Sequence, residues 1–149
     1  MNRFSFNAYT LAKVPIAWLA GVRLRHLDDT TCQMRVKYGW LNQNPFKSMF
    51  WAVEGMAAEF STGVLCVSRI RASQRKVSML VVKLEASFTK KAVGTISFRC
   101  DQGQEVDEAV RQAIATGESQ TLRLRSVGTD AQGDQVAEFF FTWSFKIKG

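Results

Sequence analysis

Between Asn44 and Gly63 the chain reads NPFKSMFWAVEGMAAEFSTG, an apolar run whose only charges after Lys47 are Glu54 and Glu59. A helix that is apolar on nearly every face is buried on nearly every face, so the rest of the chain must wrap it. Asn44 and Pro45 offer a cap and the residue best suited to the first helical position. They predict a helix from this point to Gly63 or a turn beyond. A carboxylate on such a helix finds partners, takes up a proton, or serves a function.

The flanking patterns say what does the wrapping. Residues 6–20 read as a short amphipathic helix broken at Pro15. Val22, Leu24 and His26, then Cys32, Met34, Val36 and Tyr38, alternate with polar residues around an Asp28-Asp29-Thr30 turn, the pattern of a hairpin. After the apolar helix, Leu80, Val82, Leu84, Ala86 and Phe88 fall on one face of a long strand, opposite Lys83, Glu85 and Ser87. Ile96, Phe98 and Cys100 mark another strand, Gln104 to Gly117 a helical period, Leu122 and Leu124 a further strand. Ala137, Phe139, Phe141, Trp143, Phe145 and Ile147 form a final aromatic strand face. The expectation is an α+β fold in which a largely antiparallel sheet wraps one long buried helix. With 149 residues, 46% hydrophobic and 22% charged, the chain is expected to form one domain over 1–149.

Several classes of function find no support. Cys32, Cys66 and Cys100 are odd in number and widely spaced, which fits reduced cytoplasmic thiols better than disulfides or zinc. No metal-ligand cluster, phosphate loop or dinucleotide fingerprint occurs, so no cofactor is expected. Lys13 interrupts the N-terminal apolar stretch, which argues against a signal peptide. Glu54 and Glu59 would lie near the centre of any membrane span drawn through Ser48–Ser68, so no span is expected. Ser48 and Ser61 lack a histidine partner, since the single histidine, His26, sits in a strand pattern. The net charge of +7 suggests an anionic partner. The basic residues are scattered in pairs without a nucleic-acid-binding motif, and a solvated surface explains them equally well.

The element order, with a buried helix after a hairpin and long antiparallel strands behind it, resembles the hot-dog fold. One branch, the phenylacetyl-CoA and acyl-CoA thioesterases, carries Asn-x-x-Gly-x-x-His-Gly-Gly before this helix, with an acidic residue fifteen positions after the Asn. Here Asn44 plus fifteen is Glu59. The family's first Gly corresponds to Lys47, its His to Phe50 and its paired glycines to Trp51 and Ala52. The chain therefore resembles a divergent member.

The resemblance implies an acyl-CoA thioesterase in which Glu59 serves as base or nucleophile and Asn44 orients water or the carbonyl. The backbone N–H of Trp51 would hold the oxyanion, helped by the helix dipole. Fifteen helical residues span about 22 Å, so one chain does not easily bring Asn44 and Glu59 to one carbonyl. Two antiparallel copies of the helix do, which implies at least a dimer. Phe50, Met56 and Trp51 are candidates for an acyl or aryl pocket, and Arg69, Arg71, Lys90 and Lys91 for the CoA phosphates. Plainer roles stand beside these: Asn44 as a helix cap, Glu59 as a structural carboxylate, and Glu54 as a competing acid. The rival reading is a non-catalytic acyl-CoA or lipid-binding module.

Overall fold

In the computed structural model, which describes residues 2–149, the chain enters on two helices hinged at Pro15. α1 (Arg3–Lys13) is capped by Asn2, whose side chain accepts the Ser5 N–H at 2.7 Å. α2 (Pro15–Ala20) begins on the proline itself, where its missing N–H costs nothing. β1 (Arg23–Leu27) and β2 (Cys32–Lys37) form the expected hairpin. The Asp28 carboxylate closes it by accepting the N–H groups of Thr30 and Thr31.

α3 (Trp51–Ala72) follows, then β3 (Val77–Phe88), β4 (Thr95–Cys100), α4 (Gly103–Thr116), β5 (Gln120–Thr129) and β6 (Gln135–Ile147). The strands form one antiparallel sheet in the order β1-β2-β4-β5-β6-β3. Val53, Ala57, Ala58 and Leu65 of α3 are buried with Met34, Phe98, Phe139 and Phe145 from the strands. α4 packs against α3 and β5 through Val106, Val110 and Ala113. This is the α+β architecture that the hot-dog resemblance implies. No helix among the described residues is long and apolar enough to cross a membrane.

Three details differ from the sequence expectation. α3 begins at Trp51, not at Asn44-Pro45, and runs past Gly63 to Ala72. The start is displaced because residues 43–50 are pinned as a loop: Gln43 bridges Met49, Met49 N–H bonds Ala92 O at 2.8 Å, and Phe50 N–H bonds Asn42 O at 2.8 Å. Gly63 does not end the helix: it lies inside α3, without the positive φ of a terminating glycine, and its missing Cβ leaves room for the Trp143 ring.

Secondly, α3 is not buried all round. Trp51 and Val67 are exposed, and Met56, Glu59, Phe60 and Val64 are half-buried. Its apolar outer face therefore lines grooves as well as core.

Thirdly, Val81 pairs with Trp143 while Lys83 pairs with Thr142, leaving Val82 as a bulge. A one-residue slip reverses the side-chain alternation. Leu80 lies on the outer face, whereas Leu84, Ala86 and Phe88 register with Phe141, Phe139 and Ala137 on the inner one. The single apolar face expected over 80–88 is thus divided between the two sides of the sheet.

Candidate active site

The loop before α3 is organised by one side chain. Asn44 Oδ1 accepts the N–H groups of Phe46 (2.8 Å) and Ser48 (3.2 Å). Its Nδ2 donates to Ser48 Oγ (3.0 Å) and Met49 O (3.2 Å). Asn44 therefore shapes the loop and does not cap α3. The cap position is Phe50, which offers no side-chain acceptor. The loop also turns through Lys47 at φ 62°, left-handed backbone that favours glycine. Lys47 stands where the resembled pattern has its first glycine, the residue that takes this backbone conformation at least cost.

With no cap side chain, the first N–H groups of α3 are free. Val53 and Glu54 N–H both turn back to Phe50 O. The N–H groups of Trp51 and Ala52 have no protein acceptor among the described residues, as expected for an uncapped helix start. Beside Trp51 opens a cavity of about 660 Å³, lined also by Asn44, Ser48, Phe50, Glu54, Phe88, Lys90 and Lys91. The Phe50 and Trp51 rings meet edge-on at 6.1 Å between centroids.

Glu54 is the unusual member of this cavity. It is 4% exposed, and its Oε1 is buried without a hydrogen-bond partner. Burial alone pushes its carboxyl up to about 7. The two nearby cations do not relieve it. Lys90 Nζ is held by Asp130 (2.6 Å) and Asp134 (2.8 Å), and Lys91 Nζ donates to Phe46 O (3.1 Å).

Glu59 occupies different surroundings. Five residues beyond Glu54, it lies about 140° further round the helix. It lines a groove of about 300 Å³ between α1 and α3 with Phe6, Tyr9, Val64, Met79 and Trp143. Burial raises its carboxyl as well. Within one chain, then, Asn44, Phe50, Trp51, Lys90 and Lys91 share a cavity, and Glu59 does not line it.

The remaining sequence candidates disperse. Met56 is half-buried against the core and does not line the Asn44 cavity. Arg69 is held at the other end of α3 by Asp107 (2.7 Å) and Asp29 (2.8 Å). Arg71 lines a second apolar groove with Phe6, Tyr9 and Val67. His26 pairs with Asp28 on the exposed hairpin, and Ser61 is buried against Ser126 Oγ at 2.6 Å. All three cysteines are buried, and burial raises each thiol. Sequence reasoning missed Phe88 and the α1 residues Phe6 and Tyr9. The first was hidden by the bulge at Val82. The other two stood in an apolar period that a core would equally explain.

The fold has structural counterparts. A Pseudomonas aeruginosa protein of unknown function, a probable thioesterase, superposes with a TM-score of 0.84 at 21% identity, covering 99% of this chain and 97% of that one. A Chlorobaculum tepidum protein of unknown function gives 0.84 at 12% identity, over 98% and 94%. A Haemophilus influenzae thioesterase gives 0.72 at 10% identity, over 99% and 92%. The chain therefore shares the fold of these proteins, the hot-dog fold. Its sequence matches the family described as a domain of unknown function, DUF4442, over residues 3–145, and it belongs to that family. No curated protein matches it.

Proposed function

We propose that this chain hydrolyses acyl-CoA thioesters as a homodimer, the Asn44 cavity of one protomer being completed by Glu59 of the other. The observation that carries this reading is the cavity itself: apolar walls at a helix start, with Trp51, whose N–H has no protein acceptor among the described residues, among the residues that line it. Such a donor suits an oxygen that gains charge as a thioester carbonyl is attacked. Asn44 holds the loop that presents it, and the Trp51 N–H is the main donor. Glu59 is the base for the attacking water, or the nucleophile itself.

The position of β3 supports the proposed dimer. The strand ends the sheet, so one side of its twelve residues has no strand partner. On its inner face Leu84 and Phe88 remain 46% and 49% exposed, and a long apolar edge of this kind is a template for pairing with another chain. Met79 borders the Glu59 groove and Phe88 borders the Asn44 cavity, at opposite ends of the same strand. Antiparallel pairing of two β3 strands about their middle sets each protomer's Met79 end beside the partner's Phe88 end. That supports a site shared between subunits.

The acyl or aryl group lies against Phe50, Trp51 and Phe88. Of the proposed phosphate contacts, Lys91 is the best placed, since Lys90 is already matched by two aspartates and Arg69 and Arg71 lie at the far end of α3. Free-thiol release from short, long and aromatic acyl-CoAs tests the reading. Turnover by the wild type that falls by about a hundredfold or more in Glu59→Gln supports it. Acyl-CoA binding without turnover supports the binding-module reading instead.

A further inference from the structure

We propose that Glu54, as a carboxylic acid, donates a hydrogen bond to the thioester carbonyl oxygen beside the Trp51 N–H, making it a second catalytic carboxyl group. This rests on the thioesterase reading of the cavity. A carboxyl group that is 4% exposed with an unpartnered Oε1 is costly to keep as an anion and costly to leave unbonded. Here it lines the same cavity as Trp51, whose N–H has no protein acceptor among the described residues.

Everything packed around it bears on its protonation. The helix start favours the anion, but no N–H group bonds the carboxyl. From the segment after β3, Lys90 is taken by Asp130 and Asp134, and Lys91 by Phe46 O. The pre-helix loop contributes only Asn44 and Ser48, which bond each other, and β3 contributes the apolar Phe88. With no cation or donor supplied, the neutral acid is the form this site favours, which agrees with the raised ionisation of Glu54. A neutral acid held in an apolar site strengthens its hydrogen bond as a carbonyl oxygen becomes an oxyanion, and the proton need not leave it. Glu54 thus complements a base: Glu59 takes a proton from water while Glu54 keeps its own.

The test pairs kinetics with a probe that cannot be hydrolysed. Thiol release is measured from pH 5.5 to 8.5 for the wild type, Glu54→Gln and Glu54→Leu, with folding checked by circular dichroism. Phenacyl-CoA, a thioether ketone, is titrated calorimetrically over the same range. The wild type is expected to lose kcat and ketone affinity above about pH 7. Glu54→Gln keeps an N–H donor, so its kcat is expected to fall between those of the wild type and Glu54→Leu and to lose that pH dependence. Glu54→Leu lacks a donor and drops about a hundredfold in kcat. Wild-type kcat and pH profile in Glu54→Leu, or ketone affinity that ignores pH in the wild type, overturns the proposal. Ketone binding with this pH signature but no thioester turnover leaves the Glu54 contact standing and rejects hydrolysis. Neither binding nor turnover rejects both.

Discussion

Lys47 takes a backbone conformation that costs a side chain energy, and it does so where the resembled pattern carries glycine. Lys47→Gly is expected to raise stability by up to about 1 kcal/mol, the relief of strain less glycine's greater loss of chain entropy. A urea midpoint that falls would show that the Lys47 side chain stabilises the loop. Glu54 makes a pH-dependent contribution of opposite kind. Its carboxyl ionises near 7 in the fold against 4.5 when unperturbed, so the native state holds the extra proton between those values. Stability therefore falls as pH rises through that window and levels off above it. Glu54→Gln should be more stable than the wild type by about 3 kcal/mol at pH 8, and the gain should vanish below pH 4.5. Urea unfolding at the two pH values checks this; an equal gain at both would mean the carboxyl is not held neutral. The residue scale is also where the sequence was least legible. Asn44 before Pro45 reads as a cap, because nothing local announces that its side chain satisfies Phe46, Ser48 and Met49 instead. Both glutamates stood out in the apolar run, but only their angular separation on α3 shows that they serve different cavities.

At the scale of elements, hydrophobic period was a good guide wherever one face of an element is covered. β2, the aromatic face of β6 and the amphipathic α4 lie where their alternation or period puts them, whereas β1 slips at Arg25, so that Leu27 and not His26 turns to the core. β3 defeated it because Val82 bulges, and a bulge leaves no mark in composition. α3 defeated it at both ends. Its start is fixed by bonds to Asn42 and Ala92, and the glycine at 63, which reads as a stop, instead leaves room for a ring distant in sequence. A Cβ on Gly63 would meet the Trp143 ring at 3.1 Å. That ring is buried in β6 and tied through its Nε1–H to Thr62 Oγ1 at 3.0 Å, so it has little freedom to yield. Gly63→Ala is accordingly expected to destabilise by roughly 1 kcal/mol despite alanine's better helix propensity. Thermal unfolding decides the sign: a raised midpoint would mean that the Trp143 packing relaxes.

For the whole molecule, the decisive question is whether two copies meet along β3 as proposed. The fold brings an apolar strand edge, the Asn44 cavity and the Glu59 groove to the same margin of the sheet. Leu84→Lys puts a charge on the half-exposed inner face of β3, opposed to Phe141, and is expected to shift the protein from dimer to monomer in sedimentation and to abolish turnover. An active monomer would separate the chemistry from the pairing. The most direct measurement of the shared site is subunit mixing. Asn44→Ala and Glu59→Gln proteins are assayed for thiol release from acyl-CoAs separately and again after exchange into mixed dimers. The account predicts that each variant alone is inactive and that the mixture recovers turnover, because a mixed dimer contains one site with both residues intact. Full turnover by Glu59→Gln alone, or no recovery in mixtures shown to exchange subunits, would contradict it.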